Sequence, residues 1–121
     1  MKKSNDPRHL KRIQKMQDLF TWNFQKEERP KKDIEDIILN LKEIDELIQA
    51  SATNRPIKEI NKVDLSILRL SVFELIIKKD TPLKVVIDEA IELGKEYGSD
   101  SSSSFINGVL GKVVNLRKIN I

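Results

Sequence analysis

No cysteine occurs anywhere in the chain, which removes disulfide staples, thiolate metal sites and cysteine nucleophiles and suits a cytoplasmic protein. Glycine and proline are scarce, with four of each among 121 residues. That scarcity argues against an all-β or disordered chain and in favour of helix. The single histidine is His9, and no serine sits in a Gly-x-Ser-x-Gly turn, so a catalytic triad cannot be assembled from recognisable parts. Phosphate-cradling glycine loops are missing too, because Gly94, Gly98, Gly108 and Gly111 fall within or at the ends of helical patterns. No apolar run approaches the roughly 20 residues that a membrane span needs. The basic N-terminus leads into an amphipathic pattern, not a signal-like apolar stretch. The length fits one domain over residues 1–121 and leaves no room for a catalytic domain beside a recognition domain. These absences point to a binding protein with no enzymatic activity, no cofactor and no metal.

Charge is plentiful and unevenly placed. Over the whole chain the net charge is +3. Residues 1–32 carry ten Lys or Arg against Asp6, Asp18, Glu27 and Glu28, a net of +6, so the rest of the chain is net acidic by three charges. A positive field concentrated on one segment favours a polyanionic partner.

Apolar spacing divides the chain into about five main helices. Asp6 followed by Pro7 is a helix start, since a short polar side chain caps free amides and proline tolerates the first helical position. The first helix is expected to run to about Gln25, packing through Leu10, Ile13, Gln17, Phe20 and Phe24, with Met16 and Leu19 widening the stripe. After a polar connector containing Pro30, Asp33 reads as the cap of one long helix over 33–52, marked by Ile34, Ile37, Ile38, Leu41, Ile44, Leu47 and Ile48. Asn54, Arg55 and Pro56 stop it. Apolar residues then surround nearly the whole circumference from about 61 to 78, which predicts a central helix buried on several sides. A fourth helix follows Pro82 and ends near Tyr97, where Gly98 is expected to supply a left-handed cap. The serine-rich loop 99–104 leads to a last helix over about 102–117. Short connections imply antiparallel neighbours and an all-α bundle.

Paired carboxylates at Asp88 and Glu89, at Asp33, Glu35 and Asp36, and at Glu43, Asp45 and Glu46 read as solvated helix faces offset by nearby lysines. His9 reads as a surface side chain of the basic helix. That helix is the stronger functional signal, because Lys and Arg neutralise phosphates and gain from counterion release whatever the base sequence. Nearby aromatic side chains add to it, since single-stranded RNA is held by stacking together with phosphate contacts.

Three stretches carry a family resemblance. The longest, residues 82–111, reads PLKVVIDEAIELGKEYGSDSSSSFINGVLG: a proline-led helix, a Gly and Ser punctuated loop, and a helix opening on Phe105, Ile106, Asn107, Gly108, Val109 and Leu110. Leu19-Phe20-Thr21-Trp22 lies in the basic first helix, and residues 63–75 read VDLSILRLSVFEL. Together they resemble the NusB family of transcription antitermination factors over most of the chain. The resemblance implies a bundle of two crossed helical subdomains sharing the central helix. It also implies binding of a boxA-like single-stranded RNA together with the small-subunit ribosomal protein NusE, and action on the RNA polymerase antitermination complex, particularly on ribosomal RNA operons.

Residue by residue, the resemblance places Arg8, His9 and Arg12 in an arginine-rich RNA-binding motif, with Lys11, Lys15 and Gln17 as neighbours. It puts Phe105 at the RNA-facing edge beside the first helix, although periodicity alone favours the core for that ring. Phe20 and Asp64 match positions facing NusE, and Glu74 belongs to the Phe-Glu-Leu signature either as a partner contact or as a structural carboxylate. The chain departs from the family pattern in a shorter first connector, in His9 and Lys11 within the arginine run, in Asp88 where asparagine is common, and in Ser101 where an acidic residue is frequent. Two other readings stay open: the accessory RNA-binding domain of an rRNA cytosine methyltransferase, against which the end of this sequence at Ile121 counts, and a helical protein-interaction module. Monomer and homodimer are not distinguished.

Overall fold

A computed structural model of the chain describes residues 6–26 and 28–119. Lys2, Lys3 and Glu27, which contribute to the N-terminal charge pattern, lie outside the described residues. Six α-helices make up the fold: α1 (Pro7–Phe24), α2 (Glu35–Leu39), α3 (Leu41–Ser51), α4 (Lys62–Phe73), α5 (Leu83–Tyr97) and α6 (Ser102–Arg117). No strand occurs among the described residues, so the all-α expectation holds.

Helix α4 is the axis. It packs against α1, α2, α3, α5 and α6, and every residue from Asp64 to Phe73 is buried. That accounts for its apolar residues on all sides, since a helix enclosed on every face has no amphipathic stripe. Its N-terminus is capped by Asn61, whose side chain accepts hydrogen bonds from the amides of Val63 and Asp64 at 2.8 and 3.3 Å. Its C-terminal end widens into a π turn, Glu74–Lys78, that closes on Lys79 in the left-handed region (φ 58°). One polar side chain of this buried helix, Arg69, finds its partners across the core. Arg69 donates to both carboxylate oxygens of Asp45 on α3, at 3.0 and 2.8 Å, and to Asn23 on α1 at 3.0 Å. One guanidinium thus ties three helices together.

The expected helix over 33–52 is broken. A short 3-10 turn, Lys32–Ile34, precedes α2, and α2 stops at Asn40 before α3 begins. There the Asn40 side-chain amide donates to the Asp36 carbonyl at 2.7 Å, while its backbone amide bonds back to Ile37 at 3.1 Å. Asn40 therefore ends one helix as the next begins. Asp33 caps neither α2 nor the preceding turn.

The buried face of α1 is also rotated from the expected stripe. Met16 and Leu19 are buried as anticipated, but they share that face with His9 and Asp18, whereas Leu10 and Phe24 are 50% and 62% exposed. Buried polar partners, described below, account for this choice of face. Helices α5 and α6 form an antiparallel pair across the 98–101 turn. Gly98 is not left-handed there (φ −95°, ψ −163°). Glycine is needed because a Cβ would run into the Ser102 side chain, which is fixed by accepting a 2.9 Å hydrogen bond from the Ser99 amide.

Candidate nucleic-acid interface

Among the described residues, two grooves on the surface stand out. They share no lining residue. The larger, about 590 Å³, lies between the N-terminal half of α1, the π turn after α4 and the start of α5. Proline at the first position and the Asp6 cap start α1 there, so the basic residues of its first three turns face this groove. It brings together Arg8, Lys11, Arg12 and Lys15, as expected of the basic motif, and sets Lys78 beside them. Gln17 is exposed on α1 but lies outside it.

The groove is far less cationic than its basic residues suggest. Arg8 folds back on Asp6, donating at 3.0 and 3.3 Å, which holds the Asp6 carboxyl below the usual range. Arg12 donates through Nε and Nη2 to the two carboxylate oxygens of Glu74, at 2.9 and 2.7 Å. This fork leaves the Arg12 and Glu74 side chains only 12% and 9% exposed. Lys78 stands 3.8 Å from Asp80. Lys11 and Lys15 have no carboxylate within salt-bridge distance among the described residues and are the cations best placed to meet a phosphate.

His9 corrects the surface reading. It is buried on the inner face of α1, with Nδ1 2.8 Å from a Glu89 carboxylate oxygen and Nε2 3.4 Å from Glu96. Arg12 Nη1 lies 3.9 Å from the same Glu89 oxygen. Polar residues of α1 and α5 are thereby coupled inside the fold, and His9, 1% exposed, forms part of the wall of the larger groove. Glu89, expected on a solvated face, is buried for the same reason. Asp45 likewise turns inward to Arg69.

The expected partner residues are also divided. Phe20 is half-exposed and packs edge-on against the exposed Phe24 ring, with centroids 5.1 Å apart. Asp64 is buried in the first turn of α4, one carboxylate oxygen making no hydrogen bond among the described residues. Glu74 is buried against Arg12. Of the three, Phe20 has the most open surface, while Glu74 is held in the ion pair with Arg12.

The smaller groove, about 380 Å³, runs between the end of α3, the turn 52–56 and α6. Phe105 stands in it half-buried, and no residue of α1 lines it, so the ring does not sit beside the first helix as expected. Its ring is covered instead by Arg55, whose guanidinium carbon lies 4.3 Å from the centroid. Lys112 completes the rim. Arg55 and Lys112 carried no signal in the sequence beyond a helix stop and an ordinary helical lysine. Only the fold brings them to the aromatic ring.

Among the described residues, no cluster of three His, Asp or Glu stands in position to hold a metal ion, and no helix is long and apolar enough to cross a membrane. The described residues form an all-α bundle around one buried helix, with cations and an aromatic ring on open grooves. The NusB family profile matches residues 31–115. The transcription antitermination protein NusB of Treponema denticola is 42% identical over 109 residues, covering 83% of this chain and 80% of that protein. That of Anaeromyxobacter dehalogenans is 57% identical over 72 residues, or 60% of this chain, and the chain spans about half the length of that relative, 50%. The structure of T. maritima NusB superposes with a TM-score of 0.80 at 33% identity, covering 90% of this chain and 91% of that one. The chain belongs to the NusB family.

Proposed function

We propose that this chain is a cytoplasmic, non-enzymatic transcription antitermination factor, one domain that binds a boxA-like single-stranded RNA together with the ribosomal protein NusE. The observation that carries this reading is the pairing of family membership with two grooves whose chemistry suits single-stranded RNA. In one, Lys11 and Lys15 stand on a helix beside internally satisfied arginines, which positions phosphates without reading bases. In the other, Phe105 offers a ring for a base.

Mechanism follows as assembly. Lys11 and Lys15 locate the RNA backbone and Phe105 takes a base. NusE docks on the exposed outer face of α1 that carries Phe20 and Phe24, and the ternary complex acts on RNA polymerase to suppress termination on ribosomal RNA operons.

Fluorescence anisotropy with boxA-like and scrambled RNA, with and without NusE, tests this reading. With about four phosphates neutralised, the log–log salt slope is near −3 on the single-strand rule. A preference for boxA that NusE strengthens supports it. Equal binding of the two RNAs, or NusE binding with no RNA enhancement, favours a plain protein-interaction module.

A further inference from the structure

Among the described residues, two that are not glycine hold a positive φ, and both are lysines at helix ends: Lys79 (58°) closes the π turn after α4, and Lys118 (54°) follows α6. The left-handed region brings Cβ too close to the following carbonyl oxygen, so glycine is the residue that suits it. A cation gains from the dipole at a helix C-terminus, and that gain applies in both places. Their surroundings differ. Lys118 lines neither groove, whereas Lys79 stands between Lys78 and Asp80, both of which line the larger one.

The backbone of Lys79 is fixed from within. Its amide donates to the Glu74 carbonyl at 3.0 Å, and the Glu74 side chain takes both prongs of Arg12 from α1, at 2.9 and 2.7 Å. One residue therefore closes the turn that carries Lys79 and ties that turn to α1, which holds the strained conformation in place. The side chain has no such role inside the fold. Lys79 is exposed, and among the described residues no carboxylate lies within salt-bridge distance of it, while its neighbour Lys78 stands 3.8 Å from Asp80. Strain kept at a groove rim, on a residue whose charge has no internal partner, points to a function for that charge.

We propose that Lys79 is a phosphate-binding residue that supplies a second wall to the larger groove. An RNA strand in that groove is held from two sides, by Lys11 and Lys15 on α1 and by Lys79 on the π turn. Its backbone then follows the groove and does not lie across the outer face of α1. An ammonium suits this role, because it meets a phosphate as a point charge and needs no fixed fork geometry. The inference rests on the RNA-binding reading above and adds to it a residue outside the basic first helix.

The test is anisotropy of a fluorescein-labelled single-stranded RNA of mixed sequence across a salt series, comparing the unmodified chain with Lys79→Gly, Lys79→Arg, Lys118→Gly and the pair Lys11→Ala/Lys15→Ala. Urea denaturation of each variant runs beside it. Lys79→Gly and Lys118→Gly both relieve a left-handed lysine and remove one charge, so both should raise the urea midpoint. Only Lys79→Gly should weaken RNA binding, by about 5-fold at 0.1 M salt, and lower the log–log salt slope by about 0.7, the share of one phosphate contact on a single strand. Lys79→Arg should bind within about 2-fold of the unmodified chain, because the charge remains. A gain in stability together with a loss of RNA affinity is a combination that a purely structural lysine does not give. If Lys79→Gly binds as the unmodified chain does, or if Lys118→Gly weakens binding equally, while Lys11→Ala/Lys15→Ala weakens it, the second wall is refuted and the RNA reading survives. If the unmodified chain binds no RNA, both fall together.

Discussion

Replacing Arg12 with alanine should damage the fold before it damages RNA binding. The guanidinium makes a two-pronged contact with Glu74 at 2.9 and 2.7 Å, and the two side chains are only 12% and 9% exposed. Removing the cation leaves Glu74 charged in a site with little water. Breaking a buried pair in this way costs about 3–5 kcal/mol, about a fifth or more of a typical domain stability of about 5–15 kcal/mol. Urea denaturation followed by circular dichroism measures it. The Arg12→Ala/Glu74→Gln double variant should recover a sizeable part of the loss, because the amide removes the stranded charge, and the difference between single and double variants isolates the coupling. A loss under about 1 kcal/mol in Arg12→Ala, together with weaker RNA binding, would refute the structural assignment and return Arg12 to the RNA surface. RNA affinities of Arg12 variants are therefore meaningful only where the variant is shown to be folded.

Arg69→Met should destabilise by a similar few kcal/mol, since it strands Asp45 and Asn23 at the meeting of α1, α3 and α4; an unchanged urea midpoint would contradict this. Lys79→Gly should stabilise by about 1 kcal/mol, because the α4 extension ends there at φ 58°, a conformation glycine adopts without steric penalty. Partial desolvation, reinforced by the neighbouring Asp18 carboxylate, pushes the carboxyl of the solvent-exposed Asp33 up to about 6. Its folded form therefore holds a proton more tightly than the unfolded chain, giving a stabilisation present below about pH 4 and lost as pH rises through 6. Asp33→Asn should thus raise the urea midpoint at pH 7 relative to the unmodified chain and leave it nearly unchanged at pH 4. Gly98→Ala should destabilise by about 1–3 kcal/mol through overpacking against Ser102.

Much of the fold was legible because helical periodicity reports burial directly. Apolar residues around the whole circumference of α4, proline at the start of α1 and the α5–α6 pair all appear where spacing places them. What spacing could not show was the one-residue break at Asn40, because Ile34, Ile37, Ile44 and Ile48 keep helical intervals across it. Nor could it show the inward face of α1. There His9, Arg12 and Asp18 look like surface residues until their partners arrive from elsewhere in the chain, with Glu89 80 residues away in sequence and Glu74 62 away. The candidate site divides in the same manner. A run of basic residues predicts the first groove, while Arg55, Phe105 and Lys112 are scattered along the chain and acquire meaning only when the turn after α3 folds onto α6.

Mapping amide chemical shifts of the labelled protein during titration with a boxA-like RNA tests most directly whether both grooves bind one strand. The account predicts shifts over 8–15 on α1 and, in the same titration, over 51–55 and 104–112 around the second groove. Shifts confined to the outer face of α1 around Phe20 and Phe24, or spread evenly over the lysines of the surface, would contradict it.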